Sequence, residues 1–248
     1  MPNLSLRPIL NYSPNFDLKK RKSKQIKFII FHYTGMQKEK DAIMRLTNFK
    51  SKVSCHYFIK NNGDIINLVP DSYIAWHAGV SVWQSYKFLN KNSIGIEINN
   101  PGHSFKYKNF SKKQILSILK LCKYLIEKYK IKSKFILGHS DISPNRKKDP
   151  GEKFPWKYLA KKNIGFWHSL NQYNLLKNRN ILIKNSEKKK FFSNIFKIGY
   201  SNEFNIVKNK YSKKFVEAFQ RRFRPQLING IIDKECLIIS KNLLKIIK

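Results

Sequence analysis

The sequence predicts an α/β domain, a central sheet with helices packed against it, followed by a small three-helix domain. Three observations predict it. Short β-branched and aromatic runs mix with a long amphipathic helix over the first two thirds of the chain. A polar, Lys/Asn-rich stretch then interrupts the pattern near residue 171. Three apolar segments at helical spacing follow it. At 248 residues, with 42% hydrophobic and 14% aromatic residues, the chain can bury a core, and wholesale disorder is excluded.

Gln25–His32 is an apolar run of strand length. Cys55–Lys60 and Ile65–Val69 flank the turn Asn61-Asn62-Gly63-Asp64 and form a hairpin. Ser93–Ile98 is a further short buried strand, and Ser111 caps a helix running to Leu125 and Ile126. Phe135–Gly138 is a strand that opens into a loop punctuated by Pro144 and Pro150. This organisation gives domains at 1–170 and 190–248, joined by a linker over 171–189. The second domain holds helices over Phe191–Ile198, Ser212–Phe223 and Asp233–Ile247, broken by Arg224-Pro225 and Asn229-Gly230.

Fifty basic against 15 acidic residues give a net charge of +35. A field of that size invites a polyanion. Only eight of the basic residues are Arg, however, and the charge is spread, with +22 on residues 1–170 and +13 on 171–248. Lys written wherever a surface position tolerates it accounts for that pattern, and a specific nucleic-acid partner would call for clustered Arg and interleaved aromatics. Three distant cysteines argue against a disulfide scaffold. No apolar run reaches the ~20 residues of a membrane span. Met1–Pro8 lacks the features of a signal peptide, so a cytoplasmic location is the expectation.

Three segments place polar residues where a plain core strand would not. His32 ends the first strand, His139 ends Phe135-Ile136-Leu137-Gly138, and Glu97 sits inside Gly95-Ile96-Glu97-Ile98. Two His and an Asp converging at strand ends match a catalytic zinc site, with three protein ligands and a position left for water. Each residue also has a plainer reading: a satisfied structural His, a turn Asp before Pro-Gly, and a Glu on an edge strand facing water.

The ordered segments Ile30-Phe31-His32-Tyr33-Thr34, Ser54-Cys55-His56-Tyr57-Phe58-Ile59, Ala75-Trp76-His77-Ala78-Gly79, Ser93-Ile94-Gly95-Ile96-Glu97 and Gly138-His139-Ser140-Asp141-Ile142 resemble the motifs of zinc-dependent N-acetylmuramoyl-L-alanine amidases. Lys147-Lys148-Asp149-Pro150-Gly151 followed by Phe154-Pro155-Trp156 is most similar to the AmpD/AmiD type. The resemblance covers roughly residues 10–165 and implies a mixed central sheet flanked by helices, as in amidases and peptidoglycan-recognition proteins. It implies one Zn2+ per chain held by His32, His139 and Asp149, with Glu97 activating water and Lys147 steadying the tetrahedral intermediate. His56 and His77 are expected to contact substrate or pack behind the site, and Trp76 to contact substrate. Gly138 would allow close backbone approach beside His139. Related phage lysozyme-type amidases carry a Tyr before the motif His; here that position is Cys55, which leaves Glu97 as the expected base.

Phe196-Lys197-Ile198-Gly199-Tyr200, Phe215–Pro225 and Asn229–Asp233 resemble a peptidoglycan-binding domain. The partners implied are peptidoglycan or soluble muropeptides. A wall-binding module also suits the periplasm or cell envelope, so that location stays open beside the cytoplasm. A non-catalytic peptidoglycan receptor on the same fold is the alternative, though such receptors lack a zinc ligand. On this reading the tail tethers and takes no part in cleavage, so a chain ending near Leu170 is expected to hydrolyse small muropeptides at close to the full rate.

Overall fold

The computed structural model describes residues 8–201 and 212–247; Met1–Arg7, which carry most of the signal-peptide reading, lie outside them. Its centre is a six-stranded mixed sheet. The strands are β1 (Ile9–Leu10), β3 (Phe28–Tyr33), β4 (Tyr57–Ile59), β5 (Ile65–Asn67), β9 (Ser93–Ile98) and β10 (Ile136–Gly138), in the order β1-β5-β4-β9-β3-β10. Pairing is parallel throughout except between β4 and β5, the expected hairpin. Two small ribbons complete the strands, β2 (Phe16–Asp17) with β6 (Ile74–Ala75) and β7 (Val82–Trp83) with β8 (Tyr86–Lys87).

Parallel strands need cover on both faces, and the alternation of residues shows what supplies it. Ile29, Phe31, Ile94, Ile96, Ile98 and Ile136 share one core with Ile118, Leu121, Cys122 and Leu125 of α2 (Lys112–Tyr129). That helix starts in a reciprocal cap: Ser111 Oγ accepts the Gln114 N–H and Gln114 Oε1 accepts the Ser111 N–H, at 3.2 and 3.0 Å. On the opposite face, α1 (Glu39–Thr47) lays Ala42 and Leu46 against Phe58 and Ile66.

The rest of that second face is covered by the C-terminal helices. Phe28, Ile30 and Leu137 lie in one continuous core with Phe191 and Ile195 of α6 (Asn185–Ile198), Phe219 of α7 (Lys213–Phe223) and Ile239 of α8 (Lys234–Ile246). Trp83 packs edge-on against Tyr200 at 5.0 Å, and Gln84 donates its N–H to the Gly199 carbonyl at 2.8 Å. The three expected helices are present, α7 capped by Ser212 and α8 by Asp233. Their core, however, is shared with the sheet.

The segment 171–189, read from sequence as a linker, contains α5 (Gln172–Leu176) and the first turn of α6, with Leu175 and Ile183 buried in the shared core. These two, eight apart, are buried while Tyr173, Leu176, Ile181 and Leu182 stay exposed, so the apolar residues of the segment do not sort into one helical face. Two short helices, α3 (His139–Ile142) and α4 (Trp156–Ala160), occupy what was read as a loop after Gly138 and the Pro-Trp stretch beyond it. No helix among the described residues is long and apolar enough to cross a membrane.

Candidate active site

β3, β9 and β10 end side by side, and there the apolar pattern gives way to polar residues. The register pairs His32 with Glu97 across β3 and β9, and Gly138 with Phe31 across β10 and β3. His139 follows as the first residue of α3. Glu97 is thus on a central strand, flanked by β3 and β4, and not on an edge strand facing water. A cleft of about 580 Å³ opens over these ends, lined by His32, Glu97, His139, Asp149, Lys147 and Trp76, among others.

His32, His139 and Asp149 form a compact triangle. His32 Nδ1 lies 2.9 Å from His139 Nδ1, and Asp149 Oδ2 is 3.0 Å from each. All three residues are buried. The protons on the rings are fixed from outside. Ser93 donates its hydroxyl to the Leu89 carbonyl at 2.6 Å and accepts His77 Nε2–H at 3.1 Å. His77 Nδ1 therefore accepts His32 Nε2–H, at 3.0 Å, which leaves His32 Nδ1 with a bare lone pair. His139 Nε2–H donates to the Ala78 carbonyl at 3.1 Å, so its Nδ1 is bare as well.

Two lone pairs and a carboxylate oxygen thus face one another with no proton between them, which is repulsive unless a cation sits among them. The donors of one tetrahedral zinc, bound at ~2.0–2.1 Å, stand about 3.3 Å apart, close to this triangle. The residues fit a metal ion. Outer partners that fix the rings in this way are the usual support of such a site.

The electrostatics agree. Burial, and then the closeness of the His139 ring, push the His32 imidazole down to about 4, which keeps it neutral and able to ligate. Burial alone would raise the Asp149 carboxyl, but His139 and His32 hold it well below the usual carboxylate range. Burial and then Asp149 push the Glu97 carboxyl up to about 8, with Lys147 pulling it back down. Glu97 Oε2 is buried without a hydrogen-bond partner among the described residues. A carboxylate so placed has high proton affinity and a free lone pair.

Of the residues expected near substrate, Trp76 and His77 line the cleft. Trp76 is held by its indole N–H on Asp17 Oδ1 at 2.7 Å. His77 faces the metal-ligand triangle through His32, and its ring lies on Gly95, where a Cβ would come within 2.4 Å of it. Gly95 is therefore part of the site's construction. His56 is fully buried behind His77: its Nδ1 accepts the Gly95 N–H at 3.0 Å, and Arg21 Nη2 lies 2.7 Å from its Nε2. It is absent from the cleft lining, so of the two expected roles its position is that of packing behind the site. Cys55 is also buried, and burial raises its thiol well above its ordinary range, so it offers no substitute for a tyrosine hydroxyl.

Sequence reasoning missed Ser93 and Arg146. Arg146 donates to the Ala78 and Val80 carbonyls, each at 3.0 Å, and so fixes the loop whose carbonyl orients His139. Its position beside Lys147 was the available signal. The role of Ser93 follows only from the neighbours that the fold brings to it.

Comparison with known proteins converges on one family. Residues 22–152 match the family model for N-acetylmuramoyl-L-alanine amidase. Over 233 residues the chain is 34% identical to the N-acetylmuramoyl-L-alanine amidase AmiD of Escherichia coli, covering 89% of this chain and 83% of that protein. It is 32% identical over 167 residues to the 1,6-anhydro-N-acetylmuramyl-L-alanine amidase AmpD of Haemophilus influenzae, covering 60% of this chain and 88% of that one. Among solved structures, E. coli AmiD in complex with the substrate anhydro-N-acetylmuramic acid-tripeptide superposes with a TM-score of 0.79 at 32% identity, covering 89% of each chain. AMPDH3 of Pseudomonas aeruginosa gives 0.77 at 31%, covering 90% of this chain and 92% of that one. Sheet order, metal-ready triangle and these likenesses agree: the chain belongs to the N-acetylmuramoyl-L-alanine amidase family.

Proposed function

We propose that this chain hydrolyses the amide between the lactyl group of N-acetylmuramic acid and L-alanine, using one zinc ion held by His32, His139 and Asp149. The observation that carries this reading is the triangle of proton-free donors beside Glu97 on the adjacent registered strand, whose Oε2 is buried with no hydrogen-bond partner among the described residues. Bound there, zinc supplies Lewis acidity towards water and the scissile carbonyl. Glu97 takes the proton of the attacking water and delivers it to the leaving amine. Lys147, on the cleft wall, donates to the oxyanion that develops on the attacked carbonyl. Trp76 forms part of the surface against which the substrate lies.

A receptor without catalysis would need neither a complete ligand set nor a carboxylate of raised proton affinity, and this chain has both. Residues 190–248 are proposed to bind the wall polymer, in addition to the cover that α6, α7 and α8 give the sheet. The proposed place of action is the cytoplasm, on soluble muropeptides, with the envelope as the alternative. The test is mass spectrometry of products from soluble anhydro-muropeptides and from intact sacculi, with metal analysis of the same protein. Zinc near one per chain, loss of turnover with a chelator and its return with Zn2+ support the proposal. Active protein without zinc overturns the metal assignment, and absence of a free stem peptide among the products overturns the reaction.

A further inference from the structure

Behind the metal-ligand triangle the C-terminal helices reach into the sheet. Arg222, on α7, is 1% exposed. Its Nη1 donates to Asp141 Oδ2, and its Nη2 donates to the Ile136 carbonyl at 3.0 Å. The guanidinium lies over the rings of Trp156 and Phe166, at 4.1 and 4.5 Å. Tyr200, just past α6, donates its hydroxyl to Asp141 Oδ1 at 2.7 Å. The third donor is local: Asp141 Oδ2 also accepts the Gly138 N–H at 2.8 Å.

Asp141 thereby closes the turn in which the chain leaves β10 and enters α3, and His139 is the residue carried on that turn. Gly138 is required there, since a Cβ would come within 2.6 Å of Pro150 Cδ. The same turn donates the Ser140 N–H to the Asp149 carbonyl at 2.8 Å. Two of the three metal donors therefore depend on a backbone turn that Asp141 closes. Arg222 spans that turn from the strand end at Ile136 to the carboxylate.

We infer that Arg222 and Tyr200 are positioning residues for the metal site: they hold Asp141, and through it the His139–Asp149 pair, so the C-terminal helices are part of the metal-binding apparatus. The inference rests on the metal reading above. A buried carboxylate deprived of its cation does not stay in place, because the desolvated charge is left uncompensated. The turn then moves with it. Outer partners of metal ligands are worth 10- to 100-fold in affinity, on the order found when they are mutated.

The experiment titrates metal-free full-length protein with Zn2+ against a chromophoric chelator and records the visible spectrum of the Co2+-loaded form. Arg222→Lys keeps the charge but loses the two-point span, and is expected to weaken Zn2+ binding about 10- to 100-fold and to alter the Co2+ bands. Tyr200→Phe, which removes one hydroxyl, is expected to weaken it about two- to tenfold. Ser240→Ala is the control. It breaks the buried Asn194–Ser240 hydrogen bond inside the helices without touching Asp141, and should lower Tm while leaving Zn2+ affinity and the Co2+ spectrum unchanged. Wild-type affinity and spectrum in Arg222→Lys and Tyr200→Phe, whatever their Tm, overturn the inference. If Arg222→Lys does not fold, Tyr200→Phe alone decides by the same readouts. Failure of the wild type to bind Zn2+ overturns the metal reading and, with it, this one.

Discussion

Replacing Glu97 by Gln separates the two properties assigned to this carboxyl. The amide is nearly isosteric and cannot accept a proton, so turnover is expected to fall by about 10²- to 10⁴-fold with the metal retained. The second effect is on stability. In the metal-free fold the Glu97 carboxyl holds its proton to about 8 instead of the ordinary 4.5. Between those values the folded state binds more protons than the unfolded one, so its stabilising contribution is present below pH 4.5 and is lost as pH rises through 8. At about 1.4 kcal/mol per pH unit, the whole loss is up to roughly 5 kcal/mol.

His32, His56 and His77 pull the other way. Burial lowers all three, so their contribution is present above about 6.5 and is lost as pH falls. The readout is therefore the difference between the two proteins, not either profile alone. Urea unfolding of metal-free wild type and Glu97→Gln at pH 5 and pH 8.5 should show the wild type losing several kcal/mol relative to the variant. Parallel stabilities at both pH values would mean that Glu97 Oε2 does not occupy the buried position described. Near-normal turnover of the variant would remove Glu97 as the base.

His139→Ala should bring bound zinc well below one per chain and abolish hydrolysis, checked by metal analysis; unchanged zinc content would refute its ligand role. Ser93→Ala leaves His77 Nε2–H without its acceptor and loosens the proton order that bares His32 Nδ1, so Zn2+ affinity should fall about tenfold in a chelator competition. A chain ending at Leu170 should fail to fold or should aggregate, and should lose hydrolysis of soluble muropeptides as well as of sacculi. It uncovers Phe28, Ile30, Trp83 and Leu137, each worth ~1.5–3 kcal/mol when buried, against a domain stability of about 5–15 kcal/mol. Full activity of that chain on soluble substrate would show that the sheet does not need its C-terminal cover.

The sequence expectation for that truncation was the reverse, and the reason is instructive. Ser93–Ile98 and the Ser111-capped helix were legible because each carries its own signal, a β-branched run in one case and a cap followed by helical spacing in the other. The donor set was legible because five short motifs occur in order. The continuity of the core was not, because Phe28 and Ile30 look the same in sequence whether α1, α2 or a C-terminal helix covers them. The Phe219–Phe223 stretch likewise reads as the inside of a separate bundle. Arg222 carried a weak signal, one of three Arg clustered beside Phe223, but its partner lies 81 residues away and only the fold joins them. The choice between the two roles open to His56 was not legible for a related reason. Its motif marks the neighbourhood of the groove but not which side of the sheet end the ring occupies.

The pairing of His32 with Glu97 across β3 and β9 sets one dimension of the site by the spacing of hydrogen-bonded strands, ~4.8 Å, and by nothing else. Much of the rest of the cleft wall is loop: Trp76, Lys147 and Arg146 all sit on segments that can lengthen, shorten or exchange residues. Such changes can reshape what the groove admits without altering the reach from base to metal. A lineage is thus free to explore new glycan and peptide partners at the rim, while the chemistry stays anchored to two backbones that cannot slide by one residue without turning Glu97 to the opposite face.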